Sequence, residues 1–309
     1  MSSSSHSRWQ AGLTWALLSP IFLGVTPILA KIAYSFQVDV YTLAAFRTIF
    51  AAALLWVAIA IWSRKSIVSS TPAVLGSLMA GGINGVGSLF FYASLNRIDA
   101  SLGQLINVTY LIFVTILLRL IGQKISQLTI FRMLIALFAI YLLTSGGIQE
   151  PDWFGVGLML VAAFSYAVQL VFSQRIMYDI PAQTMTLYAM TGMATVVGLA
   201  WLVVRPSISH IVTNGWSAVA FMGLATALAR LTLFLGVKNL GSLQTALLGV
   251  GELLVTILLA IIFLGERLTW IQGIGALLII ASILLVQYER NVPSFDWWRF
   301  IYTRFFQRK

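Results

Sequence analysis

The chain reads as a succession of apolar runs, each close to twenty residues, separated by short polar breaks. The runs fall at 11–34, 40–63, 72–95, 99–121, 127–146, 153–176, 181–204, 214–238, 241–264 and 269–288. About twenty apolar residues in a helix span the hydrocarbon core of a bilayer, so the pattern predicts ten transmembrane helices. The breaks carry turn chemistry: Asp39, Arg64-Lys65, Asn96-Arg97, Glu150-Pro151-Asp152, Asp179-Ile180-Pro181, Arg205-Pro206 and Asn239-Leu240-Gly241. No break is long enough for a second, soluble domain. The first run exceeds the apolar core of a cleavable signal and is read as the first span.

The pattern also repeats. Lys31/Arg175, Tyr34/Tyr178, Thr42-Leu43/Thr186-Leu187 and Ala45/Ala189 match at an offset of 144. Ser101-Leu102/Ser242-Leu243 and the five-mer VTILL (114–118 and 255–259) match at 141, and 122–125 parallels 265–268 at 143. Each match is weak, but together they keep chain order. They divide the chain into two five-helix repeats, 11–146 and 153–288, followed by a basic aromatic tail, 289–309. Five is odd, so the second repeat enters the bilayer from the opposite side. This is the inverted-repeat plan of many secondary transporters, with the substrate site near the midplane between the halves.

Composition strengthens the membrane reading. Of 309 residues, 60% are hydrophobic and 9% charged, against about 25% charged in a soluble domain. The net charge of +10 lies between and beyond the apolar runs, which fits topology and not nucleic acid. Placing the N-terminus in the cytoplasm puts twelve Lys and Arg inside and four outside, namely Lys31, Arg97, Arg205 and Arg267. Both chain ends are therefore expected in the cytoplasm. Many Trp fall near proposed helix ends (Trp9, Trp62, Trp153, Trp201, Trp216, Trp270), as an aromatic belt would. The tail interleaves aromatics with Arg and reads as an interfacial helix or as a basic end that fixes topology. There is no Cys, and His6 and His210 lie outside the runs. These facts disfavour a thiolate or His-based metal or catalytic site.

A charged side chain at the bilayer centre costs at least about 2.5–3.5 kcal/mol, so such residues face a cavity or a partner. Glu252 is the one acidic residue within a predicted span core. It stands twelve residues before Leu264, roughly 18 Å from that end at about 1.5 Å per residue. Arg230, on the preceding helix, comes within one turn of it across the intervening bend. The pair is either a substrate or proton-coupling site or a structural strut. Asn84, Asn107, Tyr110, Tyr166, Gln169 and Gln244 lie at similar depth. Each alone is helix–helix glue; as a set they mark a cavity. Arg47 sits about two turns from a helix end, where snorkelling or helix–helix bonding accounts for it; Arg132 sits about a turn and a half from one, where snorkelling suffices. Helices 5 and 10 are almost bare of polar groups and are placed at the periphery. Pro20 and Pro27 kink helix 1, as a hinge or as a static bend. GGINGVGS at 81–88 follows no strand, so it is read as close helix packing through Gly81 and Gly85 and not as a phosphate loop.

The segment LLAIIFLGERLTWIQGIGALLIIASILLV resembles the ending of proteins in the drug/metabolite transporter superfamily, EamA branch. The matching positions are Gly265, Glu266, Leu268, Thr269, Gln272, Gly275, Ala276, Leu278 and Ile279. LAAFRTIFAAALL resembles the family's Arg-bearing second helix and places Arg47 on the family Arg. Two departures stand out: Leu253 replaces the Pro that often follows the residue equivalent to Glu252, and Gln123 replaces the loop Glu of the first repeat. The resemblance implies an all-α inner-membrane protein of ten helices, with no cofactor, no metal and no enzymatic activity. The expected function is secondary transport of a small metabolite, an amino acid or related compound, by alternating access and in the direction of export. Protons are the candidate coupling ion, and the assembly is expected to be a monomer or weak dimer with no nucleic-acid partner. A sugar-phosphate or nucleotide-sugar exchanger on the same fold is the alternative. A membrane-embedded enzyme and a non-transporting scaffold stand behind it.

Overall fold

The structure is a computed structural model. It describes residues 3–67, 69–98, 103, 106–123, 125–144, 152–208, 213–264 and 270–288. All regular structure among the described residues is helical: α1 (Ser3–Ser35), α2 (Val40–Trp62), α3 (Thr71–Leu95), α4 (Tyr110–Leu120), α5 (Gln127–Thr144), α6 (Trp153–Ile176), α7 (Ala182–Val204), α8 (Thr213–Leu240), α9 (Ser242–Gly249), α10 (Gly251–Leu264) and α11 (Trp270–Leu284). Six of them (α1, α2, α3, α6, α7 and α8) are long and apolar enough to cross a membrane. Large apolar side chains such as Ile61, Met79, Val203 and Phe221 lie exposed on the outer faces of these helices, where lipid would meet them.

The polar breaks act as caps. Asp39 accepts from the Tyr41 and Thr42 backbone N–H groups (2.9 and 3.0 Å) at the start of α2. Asp152 accepts from those of Phe154 and Gly155 (2.9 and 3.3 Å) at the start of α6. Both satisfy donors that the first turn of a helix leaves without partners. Asp152 also pairs with Arg97 at 3.0 Å, tying the end of α3 to the start of α6.

One expected span is interrupted. The run 241–264 divides at Val250 into α9 and α10, and the Leu253 N–H donates to the Val250 carbonyl (3.1 Å) in the tight i→i+3 pattern. Gly249 and Gly251 flank the break, and glycine is a poor helix former. By contrast α1 continues through both Pro20 and Pro27. The expected interfacial tail, 289–309, lies outside the described residues.

Glycines decide where helices cross. A Cβ on Gly81 of α3 would run into the Ala189 carbonyl of α7, and one on Gly192 of α7 into the Leu78 carbonyl of α3. A Cβ on Gly223 of α8 would stand 3.0 Å from the Arg47 carbonyl of α2. Gly85 faces Val196 and the Met193 carbonyl, as the glycine-rich stretch implies.

The principal pairings map onto one another when the repeats are exchanged. α1 packs on α8, and α6 on α3; α2 packs on α8, and α7 on α3; α1 packs on α10, and α6 on α4. The exchange leaves the α2–α7 and α5–α11 pairs unchanged. The latter pair agrees with the peripheral placement of helices 5 and 10. Of the expected aromatic belt, Trp62, Trp153 and Trp270 are exposed at helix ends. Trp201 and Trp216 instead pack edge-on against Phe46, with ring centroids 5.3 and 5.1 Å away.

Two predictions follow from this packing. Replacing Gly81 with Val should destabilise the fold by at least the ~1–3 kcal/mol of ordinary overpacking. Gly157→Ala, whose Cβ would meet nothing within 4 Å, should not. Thermal unfolding of the two purified variants in detergent separates the cases. The hydrogen bond from Arg97, with help from the α6 backbone, holds the Asp152 carboxyl below its ordinary 3.8. A depressed carboxylate stabilises the fold above the ordinary value and loses that contribution as pH falls from 3.8 through the lowered one. The melting-temperature gap between wild type and Asp152→Asn should therefore close with acidification over that window.

Candidate binding cavity

The cavity sits where the two repeats meet. Its volume is about 90 Å³. The first repeat contributes Leu23, Thr26 and Pro27 of α1, Arg47 of α2, a face of α3, and Asn107 ahead of α4. The second contributes Ala162 and Tyr166 of α6, Arg230 of α8 and Glu252 of α10.

The α3 face explains why so many polar groups converge. Asn84, Ser88 and Tyr92 stand four residues apart and so share one side of the helix, with Phe91 beside them. Gly87 lets that side approach α6, because a Cβ there would stand 2.6 Å from Ser165 Cβ. Thr226 and Arg230 follow the same spacing on α8.

Each cationic group is held by neutral partners. Arg47 donates to Thr226 Oγ1 (3.1 Å) and Ser88 Oγ (2.7 Å) and lies 4.5 Å from the centre of the Tyr92 ring. It is 4% exposed, so helix–helix bonding applies and snorkelling does not. Arg230 donates to Gln169 Oε1 (3.2 Å) and lies 5.6 Å from the Tyr166 ring centre. Glu252 shares the cavity with Arg230, Tyr92 and Tyr166. The start of α10 is seated on α1 at Gly24: a Cβ there would stand 2.9 Å from the Glu252 carbonyl. Thr256 Oγ1 bridges the Gly24 and Glu252 carbonyls, at 3.0 Å from each.

Of the residues expected at the site, Glu252, Arg230, Asn84, Asn107 and Tyr166 line the cavity, and so does Pro27. Pro20, Tyr110, Gln169 and Gln244 do not. Gln169 is a support for Arg230. Tyr110 stands behind Tyr166, with ring centroids 5.0 Å apart, and donates to the Ala246 carbonyl (2.9 Å). Gln244 belongs to a different cluster: it accepts from Arg132 NH1 (2.6 Å) and donates to Thr129 Oγ1 (3.2 Å). Arg132 also donates to the Ser282 carbonyl (3.0 Å) and is fully buried. Its expected snorkelling is thereby corrected: the guanidinium clamps α5, α9 and α11 together. Gly265 and Glu266 lie outside the described residues. Ser88, Tyr92 and Thr226 were not anticipated, although the i, i+4 polar spacing from Asn84 and from Arg230 was their signal.

A profile of the EamA-like transporter family matches residues 10–145 and again 153–288. The chain belongs to that family. EamA proteins are multi-pass membrane transporters of the drug/metabolite transporter superfamily, and this chain carries two EamA repeats. A solved structure described only as "Crystal structure of protein" is similar in fold, with a TM-score of 0.74 at 18% identity. That likeness covers 92% of this chain and 97% of the other. No curated protein matches the sequence.

If Gln244 is structural, Gln244→Leu should lower stability by about 1–3 kcal/mol by stripping Arg132 of an acceptor. Asn84→Leu, whose amide meets only Met193 Sδ at 3.4 Å, should cost less. Denaturation of both variants, followed by a single probe of helix content, provides the comparison.

Proposed function

We propose that this EamA protein is a secondary transporter moving a small metabolite, an amino acid or related compound, by alternating access between two inverted five-helix halves. The observation carrying the reading is the cavity between the repeats, which brings one carboxylate at the start of α10 together with two guanidiniums carried within the long apolar helices α2 and α8. Ionisable groups at such depth are costly and mark substrate or ion pathways. Residues from both repeats form the wall, as alternating access around a fixed site requires. The six long apolar helices and the four shorter apolar segments, Tyr110–Leu120, Gln127–Ala139, Ser242–Thr256 and Gly273–Ser282, are taken as ten spans. The 12-to-4 charge bias is taken to place both ends in the cytoplasm of an inner-membrane exporter. Pro27, in the cavity wall, is the candidate hinge. A sugar-phosphate exchanger remains the second reading, favoured by the two guanidiniums and opposed by Glu252.

Glu252 is proposed as the proton-coupling group. The test is uptake into proteoliposomes under an imposed pH gradient, screening labelled amino acids and one sugar phosphate. The expectation is that wild type accumulates one class, whereas Glu252→Gln loses gradient-driven accumulation but retains substrate exchange. Equal driven uptake by both proteins would reduce Glu252 to a strut.

A further inference from the structure

Two arginines share this cavity, and neither makes an ion pair among the described residues. Arg47 is 4% exposed and Arg230 8%. Their acceptors are two hydroxyls and one amide. In each, the Nε–H is buried with no acceptor. Buried donors without acceptors are rare and call for an explanation. Both guanidiniums line the same cavity, together with Glu252. Like charges in a medium of low dielectric are unfavourable unless an anion offsets them. With Glu252 ionised, the cavity carries a formal charge of +1.

We infer that Arg47 and Arg230 are the receptor for a carboxylate of the transported molecule. The inference rests on the transport reading above and names the chemistry that this site selects. A guanidinium presents its N–H donors in a planar fork that matches a carboxylate edge, and charge-assisted bonds of this kind are about twice as strong as neutral ones. The two guanidiniums reach the cavity from opposite repeats, so one carboxylate would link α2 of the first repeat to α8 of the second. A single negative charge neutralises the cavity. A dianionic phosphate would instead bring excess charge beside Glu252. Phe91, Leu23 and the Tyr166 ring line the remaining wall and suit an apolar body behind the carboxylate. This assignment makes Arg47 a ligand as well as a helix tie.

The test uses the purified full chain in detergent and in proteoliposomes. Melting temperature is measured with acetate, L-lactate, 3-phenylpropanoate and L-phenylalanine. The comparison set is ethylamine, 2-phenylethylamine and inorganic phosphate, all at constant ionic strength against chloride. Carboxylates should raise the melting temperature, and amines lacking one should not. The apparent affinity for the best carboxylate should fall roughly tenfold or more in Arg47→Gln and in Arg230→Gln, the loss expected for a charged hydrogen bond. Arg47→Lys and Arg230→Lys keep the charge but lack Nε, and should bind in between; they serve if the Gln variants do not fold. A response confined to amines or to phosphate would overturn the inference, as would no response at all. A carboxylate response unchanged in all four variants would overturn it too. Tracer flux of the same compounds separates the two readings. Carboxylate binding without flux keeps the receptor and removes transport, whereas flux of amines alone keeps transport and removes the receptor.

Discussion

The crossing of α3 on α7, backbone against backbone at Gly81 and Gly192, is the contact from which the rest of the site follows. Helices in lipid gain little from the hydrophobic effect when they associate, so close van der Waals approach must hold them. Neither crossing position tolerates a Cβ, because each would strike a carbonyl of the other helix. The approach fixes the height and rotation of α3. Asn84, Ser88 and Tyr92 then project toward α6 and α8 and not toward lipid. The related contact of Gly223 with α2 sets Arg47 against Thr226 in the same way. The polar lining is thus a consequence of where small residues permit two backbones to meet.

Given that frame, the chain treats its buried arginines in two different ways. Arg132 has side-chain and carbonyl acceptors from α9 and α11 and works as a fastener that does not line the cavity. Arg47 and Arg230 line the cavity, and each leaves its buried Nε–H without an acceptor. What sets Arg47 and Arg230 apart from Arg132 is their place in the cavity wall.

Much of this architecture is legible in the sequence. Apolar run lengths gave the long helices, the order of weak matches gave the duplication, and Asp39 and Asp152 marked the starts of α2 and α6. The depth argument singled out Glu252, Arg230, Asn84, Asn107 and Tyr166, which do meet in one cavity. It failed for Gln244 and Tyr110, because depth along a helix says nothing of which way its face is turned. It undervalued Arg47 and Arg132 for a related reason. Nearness to a helix end suggested snorkelling, yet the neighbours that enclose both residues come from helices far away in sequence. The break at Val250 was hidden as well, since its glycines are common enough in membrane helices to pass unnoticed.

The pairing pattern has a consequence for how such a chain is made. The principal partners of α1, α2, α3, α4 and α5 all come from the second repeat. When the first repeat has been translated and the second has not, its helices lack most of the surfaces they will finally touch. Until its counterpart arrives, Arg132 lacks both Gln244 and the Ser282 carbonyl, and Arg47 has Ser88 but not Thr226. Assembly is therefore an interleaving of two half-built bundles and not the docking of two finished ones, and the cavity comes into being only at its last step.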